Sequence, residues 1–188
     1  MGYTFGKEVR TMKPATHPAL RSIARASLVV ALLGASALAA ADVTVEFIKP
    51  EDFIDTGRFA SNGEEKSNLA NLSAALKERA QKVLKPGQDM KIEVTDVDLA
   101  GEVRPVGRQM EMIRIVKPIY RPALDLRYTI TEKGQEVRHG EAHMSDMNFM
   151  DRYNRYFDSE PLRYEKQMMD DWFAKEFPAV KTAGNEGK

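Results

Sequence analysis

Between residues 124 and 130 the chain alternates apolar and polar side chains without a break. Leu124, Leu126, Tyr128 and Ile130 fall on one side, and Asp125, Arg127 and Thr129 on the other. Successive side chains of an extended chain point to opposite faces, so this run predicts a strand with one face in a core and one in water. Such a strand needs antiparallel neighbours and a second layer over its apolar side. Glu132-Lys133-Gly134-Gln135 then turns the chain back into residues 136–144, which predicts a hairpin.

The rest of the chain from residue 42 on supplies the other elements. Val43-Thr44-Val45-Glu46-Phe47 alternates in the same way, and Lys49-Pro50 ends it; Phe53 and Phe59 read as loop anchors around Thr56-Gly57. After the turn Ser61-Asn62-Gly63, residues Leu69, Leu72, Leu76, Ala80 and Val83 recur at helical spacing, and Pro86-Gly87 stops that helix. Residues 90–99 read as a strand in which Ile92 and Val94 hold one phase of the alternation and Val97 and Leu99 the other. One extra residue reverses the phase, so a bulge is expected near Thr95-Asp96. Residues 103–107 read as connection, and Met110, Met112, Ile113 and Ile115 mark another strand. Phe149, Tyr153, Tyr156 and Phe157 suggest a short irregular helical segment. A final helix carries Leu162, Met168, Met169, Trp172, Phe173 and Phe177, with Ser159 as N-cap and Pro161 in its first turn. The expected fold is α+β: a single small, mostly antiparallel sheet of about five strands with two main helices packed on one face.

Upstream lies an address. Arg21 and Arg25 precede ASLVVALLGASALAAA at residues 26–41, a cationic lead, apolar core and small-residue finish that predict a cleavable secretory signal. The apolar run is shorter than the roughly 20 residues needed to span a bilayer. Cleavage is expected near Ala39–Asp42, placing the protein in the periplasm without a transmembrane anchor. Residues 1–41 are then lead and signal, 42–180 a single domain and 181–188 a flexible tail, with Met12 the more ordinary start. Cleavage after Ala41 leaves 23 basic and 27 acidic side chains, a net charge of about −4. That charge disfavours generic nucleic-acid binding, which rests on cationic neutralisation of phosphate. The chain has no cysteine, so disulfides, thiolate catalysis and thiolate metal sites are excluded.

Three stretches carry a resemblance: VTVEF at residues 43–47, TDVDLAG at 95–101 after Val94, and LRYEK at 162–166 ahead of Met169 and Trp172-Phe173. Together they resemble a family of bacterial exported proteins catalogued as a domain of unknown function. The resemblance covers about residues 43–177. It implies export and one compact domain, and brings no activity, cofactor or site residues with it.

Several residues are candidates for chemistry. His139, Glu141 and His143 form H-x-E-x-H, which on a strand puts two imidazoles and a carboxylate on one face, where zinc or copper could be held. The two histidines would stand about 13 Å apart, so a bulge or partner strand would have to focus them. Otherwise they form a solvent-facing polar row. Asp96 and Asp98 could serve as a general acid/base pair or simply cap a strand-end turn. Met144, Met147 and Met150 could offer thioethers to cuprous copper or pack an apolar seam. Glu165 reads as an ordinary charge on a helix surface. Phe149, Arg152, Tyr153, Tyr156, Arg163 and Tyr164 form a candidate interaction patch of the aromatic and arginine type. No nucleophile arrangement emerges and no cofactor is implied. The function expected is a non-enzymatic envelope binding or adaptor protein with a protein or glycan partner; the alternative is a metal-binding protein or envelope hydrolase using the histidine/carboxylate cluster.

Overall fold

The alternation at residues 124–130 is realised as the centre of a sheet. A computed structural model describes residues 41–59 and 63–178. The expected signal up to residue 40, the Ser61-Asn62 part of the turn and the expected tail at 181–188 lie outside the described residues. In chain order the elements are β1 (Val43–Phe47), α1 (Glu64–Val83), β2 (Gln88–Asp98), β3 (Glu102–Val106), β4 (Glu111–Ile115), β5 (Ala123–Glu132), β6 (Gln135–Ser145) and α2 (Arg163–Glu176). A single 3-10 turn, Pro50–Asp52, follows β1.

Four strands form one sheet in the order β1-β2-β5-β6, and β3 pairs only with β4 in a separate two-stranded ribbon. β1 runs parallel to β2, which requires a crossover, and α1 provides it. The other pairings are antiparallel. The fold is thus mixed α+β, with two main helices packed against a mostly antiparallel sheet. The segment read as connection at residues 103–107 is largely strand β3. Pro105 hid it, because proline lacks the ladder donor and is tolerated only where that donor is not needed, as at an edge.

The inner face of the sheet and the inner stripes of both helices make one core. Leu72, Leu76 and Ala80 of α1 meet Ile92, Val94, Leu126 and Ile130 of the sheet and Met168, Met169 and Phe173 of α2. Burying each large member contributes about 1.5–3 kcal/mol. The expected bulge is present: the β2–β5 register shifts between Val94 and Asp96, which brings Val97 and Leu99 back to the core face. The hairpin turn at Lys133-Gly134 holds both residues at positive φ, the two-residue geometry that matches strand twist.

Three local expectations are corrected. The segment from Phe149 to Phe157 forms turns without a helix, and Gln167 of α2 bonds the Arg155 N–H and the Tyr153 carbonyl there. Leu162, not Ser159, is the N-cap of α2, and it is left-handed with φ 55°. Phe53 is buried as a loop anchor, whereas Phe59 is exposed. None of the helices among the described residues is long and apolar enough to cross a membrane.

Candidate functional site

TDVDLAG ends at the edge of the core, and LRYEK opens α2. The structure joins them. The Ala100 backbone N–H donates to Glu165 Oε1 at 2.7 Å, and Glu165 is only 4% exposed. Burial pushes its carboxyl above the usual range, while the Ala100 N–H pulls the other way. Glu165 is therefore not the surface charge expected of it. It lies on the same helical stripe as Met168, Met169 and Phe173, which carries it into the core margin.

Glu165 lines a cleft of about 380 Å³ shared with Leu99, Ala100, Arg114, Leu162, Arg163 and Tyr164. Arg114 reaches it from β4 and grips Asp55 with a two-pronged contact, Nη1 to Oδ2 at 2.8 Å and Nη2 to Oδ1 at 3.1 Å. This planar fork pins the ribbon to the loop after β1. Arg163 pairs with Asp158 and lies over the Tyr164 ring, 4.6 Å from its centroid. Glu160, also at the rim, is met by Lys166. Each of these charged side chains thus has a partner within the protein. Gly101 sits at the junction with φ 90°, and a Cβ there would come within 2.8 Å of the Ile115 carbonyl oxygen. The motif's glycine is needed for both reasons.

The carboxylate pair lies beside the cleft but does not line it. Asp96 Oδ1 accepts from the backbone N–H groups of Ile54 and Val97, the structural role of a short acidic side chain at a bulge. Asp98 is half-buried; burial, then the charges of Asp55 and Asp96, hold its carboxyl above the usual range.

His139, Glu141 and His143 stand along β6 on the uncovered polar face of the sheet, opposite Thr129, Arg127 and Asp125. His139 Nδ1 meets Glu136 Oε1 at 2.6 Å, and His143 Nδ1 meets Asp125. Among the described residues no group of three or more histidine, aspartate or glutamate side chains could hold a metal ion. The methionine triplet is also divided: Met144 is core, while Met147 and Met150 are exposed.

The aromatic and arginine residues split in the same way. Phe149 is buried, edge-on to Tyr164 with ring centroids 4.8 Å apart, so it belongs to the core and not to a surface patch. Arg152 bridges Asp146 and Asp171. Tyr156 donates to Asp170 Oδ2 at 2.7 Å and accepts from Arg79 Nη2, which closes a polar knot between α1 and α2. Arg79 is only 6% exposed and pairs with Asp170 at 2.6 Å. Of the six expected patch residues, Tyr153 alone stands fully in solvent, 85% exposed, and Phe157 joins it at 84%. The sequence places Phe157 with the aromatics of a short irregular helical segment and outside the expected patch.

The loop bearing those two rings is strapped to α2. Gln167 accepts from the Arg155 backbone N–H and donates to the Tyr153 carbonyl, both at 2.8 Å. Asn154 donates to the Arg163 carbonyl at 3.2 Å and accepts from the Tyr156 N–H at 2.8 Å.

The fold defines the class: a small α+β domain whose sheet carries its helices on one face and leaves a polar face open. Within it, the chain belongs to the family described as Protein of unknown function (DUF3016), whose model matches residues 41–175, including both motifs that meet at the cleft. No curated protein matches the chain.

Proposed function

We propose that this is an exported, non-enzymatic envelope protein that works by contacting another protein through the loop after β6. One observation carries the reading: Tyr153 and Phe157 are both exposed on a loop whose backbone is held by Gln167 and Asn154. Large rings presented on a fixed backbone lose little entropy on binding, and such aromatics concentrate binding energy at interfaces. The internally paired charges around the cleft support the non-enzymatic part of the reading. The export part is supported by the signal at residues 26–41.

Periplasmic crosslinking followed by mass spectrometry tests the proposal. Wild type is compared with Tyr153→Ala/Phe157→Ala, both verified as folded by circular dichroism. A saturable protein partner present in wild type and lost in the variant is the expected result. Identical crosslinks in both proteins would refute the loop, and crosslinks to glycan alone would replace the protein partner. Intact mass of the periplasmic fraction reports export; only unprocessed protein in the cytoplasm would overturn that part.

A further inference from the structure

The β3–β4 ribbon is largely uncovered by the rest of the domain. Its strands bond to each other and not to the four-stranded sheet. Opposite residues of an antiparallel pair share a face, so Arg104 and Ile113 lie on one side of the ribbon and Pro105 and Met112 on the other. Val106, Met112 and Ile113 are all exposed, and Met110 in the connecting turn is 64% exposed. A lone two-stranded hairpin has no second layer in which to bury such side chains. Ile119, just beyond the ribbon, is exposed as well.

The charge of this segment differs from that of the remaining domain. Residues 102–121 carry Arg104, Arg108, Arg114, Lys117 and Arg121 against Glu102 and Glu111, whereas acidic side chains outnumber basic ones elsewhere in residues 42–188. Glu102 is bound to Arg104, and Arg114 is turned inward to Asp55 at the ribbon's base. Arg108, Lys117 and Arg121 are exposed. The arm is held at its root by the Arg114–Asp55 fork and by the Gly101 N–H donating to the Tyr120 carbonyl at 2.9 Å.

We infer that this ribbon is a membrane-surface arm that docks on anionic phospholipid. Charge complementarity selects an anionic surface. The apolar side chains on both faces of the ribbon select one that can surround it, as the headgroup and acyl boundary of a bilayer does and a flat protein face does not. The guanidinium and ammonium groups would meet lipid phosphates while Met110, Met112, Val106 and Ile113 enter the boundary. This contact is separate from the aromatic loop proposed above and does not depend on it.

Vesicle co-sedimentation of the signal-free protein, residues 42–188, provides the test. Vesicles of phosphatidylcholine alone are compared with vesicles in which roughly a quarter of the lipid is phosphatidylglycerol. Binding to the anionic vesicles, weakened by added salt, is expected. Two arm variants, Met110→Asp/Ile113→Asp and Arg108→Glu/Lys117→Glu, should each bind about tenfold or more weakly. All four positions are exposed, and unchanged circular dichroism confirms that the variants fold. Tyr153→Ala/Phe157→Ala should bind like wild type. Failure to sediment with anionic vesicles, equal binding to neutral ones, or unaltered binding by the arm variants would each overturn the proposal. Loss of binding in the loop variant alone would also overturn it, by moving the lipid contact away from the arm.

Discussion

Gly140 of β6 faces Tyr128 of β5, and the tyrosine ring occupies the space that a side chain at position 140 would need. A Cβ there would lie 2.7 Å from the ring. The ring is fixed in turn: its hydroxyl donates to Glu176 at 2.6 Å, accepts from Arg138 at 3.1 Å, and its edge meets Trp172 and Phe177. The ring therefore has little room to yield. Gly140→Ala should cost about 1–3 kcal/mol through overpacking. Urea unfolding checks this. Tyr128→Leu should absorb much of the penalty, so the double variant should be less destabilised than the two single effects added together.

The buried Glu165 makes a prediction about pH. Its folded-state pKa is raised, so the stability linked to it is complete below the ordinary carboxylate value and is lost as pH rises through the folded value. Glu165→Gln keeps an oxygen to accept from Ala100 and removes the charge. The variant should gain on wild type as pH climbs from about 4 to 8, and the two should converge at the acid end. Thermal melts across that range supply the measurement. A difference that does not change with pH would mean the carboxyl is not raised.

Arg79 joins α1, α2 and the loop after β6 through Asp170, Tyr156 and the Lys166 carbonyl at 3.1 Å. Arg79→Met keeps most of the side-chain length but leaves Asp170 half-covered and without this partner. The loss expected is about 3 kcal/mol, the low end for breaking a buried pair because Asp170 keeps some contact with solvent. Arg79→Met with Asp170→Asn should recover part of it, readable in the same urea titration.

Burial first, and then the hydrogen bond to Asp170, push the Tyr156 phenol up to about 12. The stabilisation that accompanies this shift holds below the ordinary tyrosine value near 10 and fades as pH rises through about 12. A spectrophotometric titration should therefore show a late-ionising phenolate that disappears in Tyr156→Phe. If the variant removes an early phenolate instead, the Arg79–Tyr156–Asp170 knot is not closed in solution.

Zinc uptake separates the polar row from a metal site. His139→Ala and His143→Ala remove groups paired with Glu136 and Asp125 on the wet face. Each should change calorimetric zinc binding and stability little, since exposed pairs contribute about 0–1 kcal/mol. A stoichiometric site lost in either variant would refute this expectation.

The sheet and helices were legible because their burial follows simple periods: two along Leu124–Ile130 and about 3.6 along Leu72–Ala80. Even the β2 bulge could be read, since the phase reversal between Val94 and Val97 has few other causes. The cleft was not legible. Its key side chain, Glu165, is charged, and a charge on a helix is usually solvated. Yet Glu165 precedes Met168 and Met169 by three and four residues, and Arg79 follows Ala75 and Leu76 at the same spacings. A charged residue on an apolar stripe was the available signal in both helices. The meeting of Ala100 with Glu165 spans 65 residues and depends on tertiary packing, which no local period reports. The division of the expected patch was hidden for a related reason: aromatic rings serve equally well as core or as surface, and only the packing around Phe149 and Tyr153 tells them apart.

The parallel pairing of β1 with β2 bears on the order in which the chain can assemble. β5 and β6 are neighbours in sequence, joined by two residues, so they can close within microseconds as a local unit. β1 must wait for a partner 47 residues downstream, from Val43 to Met90, with the whole of α1 formed and laid across the gap. Closing so long a loop comes late, and its reward is a five-residue edge with one neighbour. Amide hydrogen exchange should find the β2–β5 ladder at the centre of the sheet the slowest to open and Val43–Phe47 among the first segments to let go.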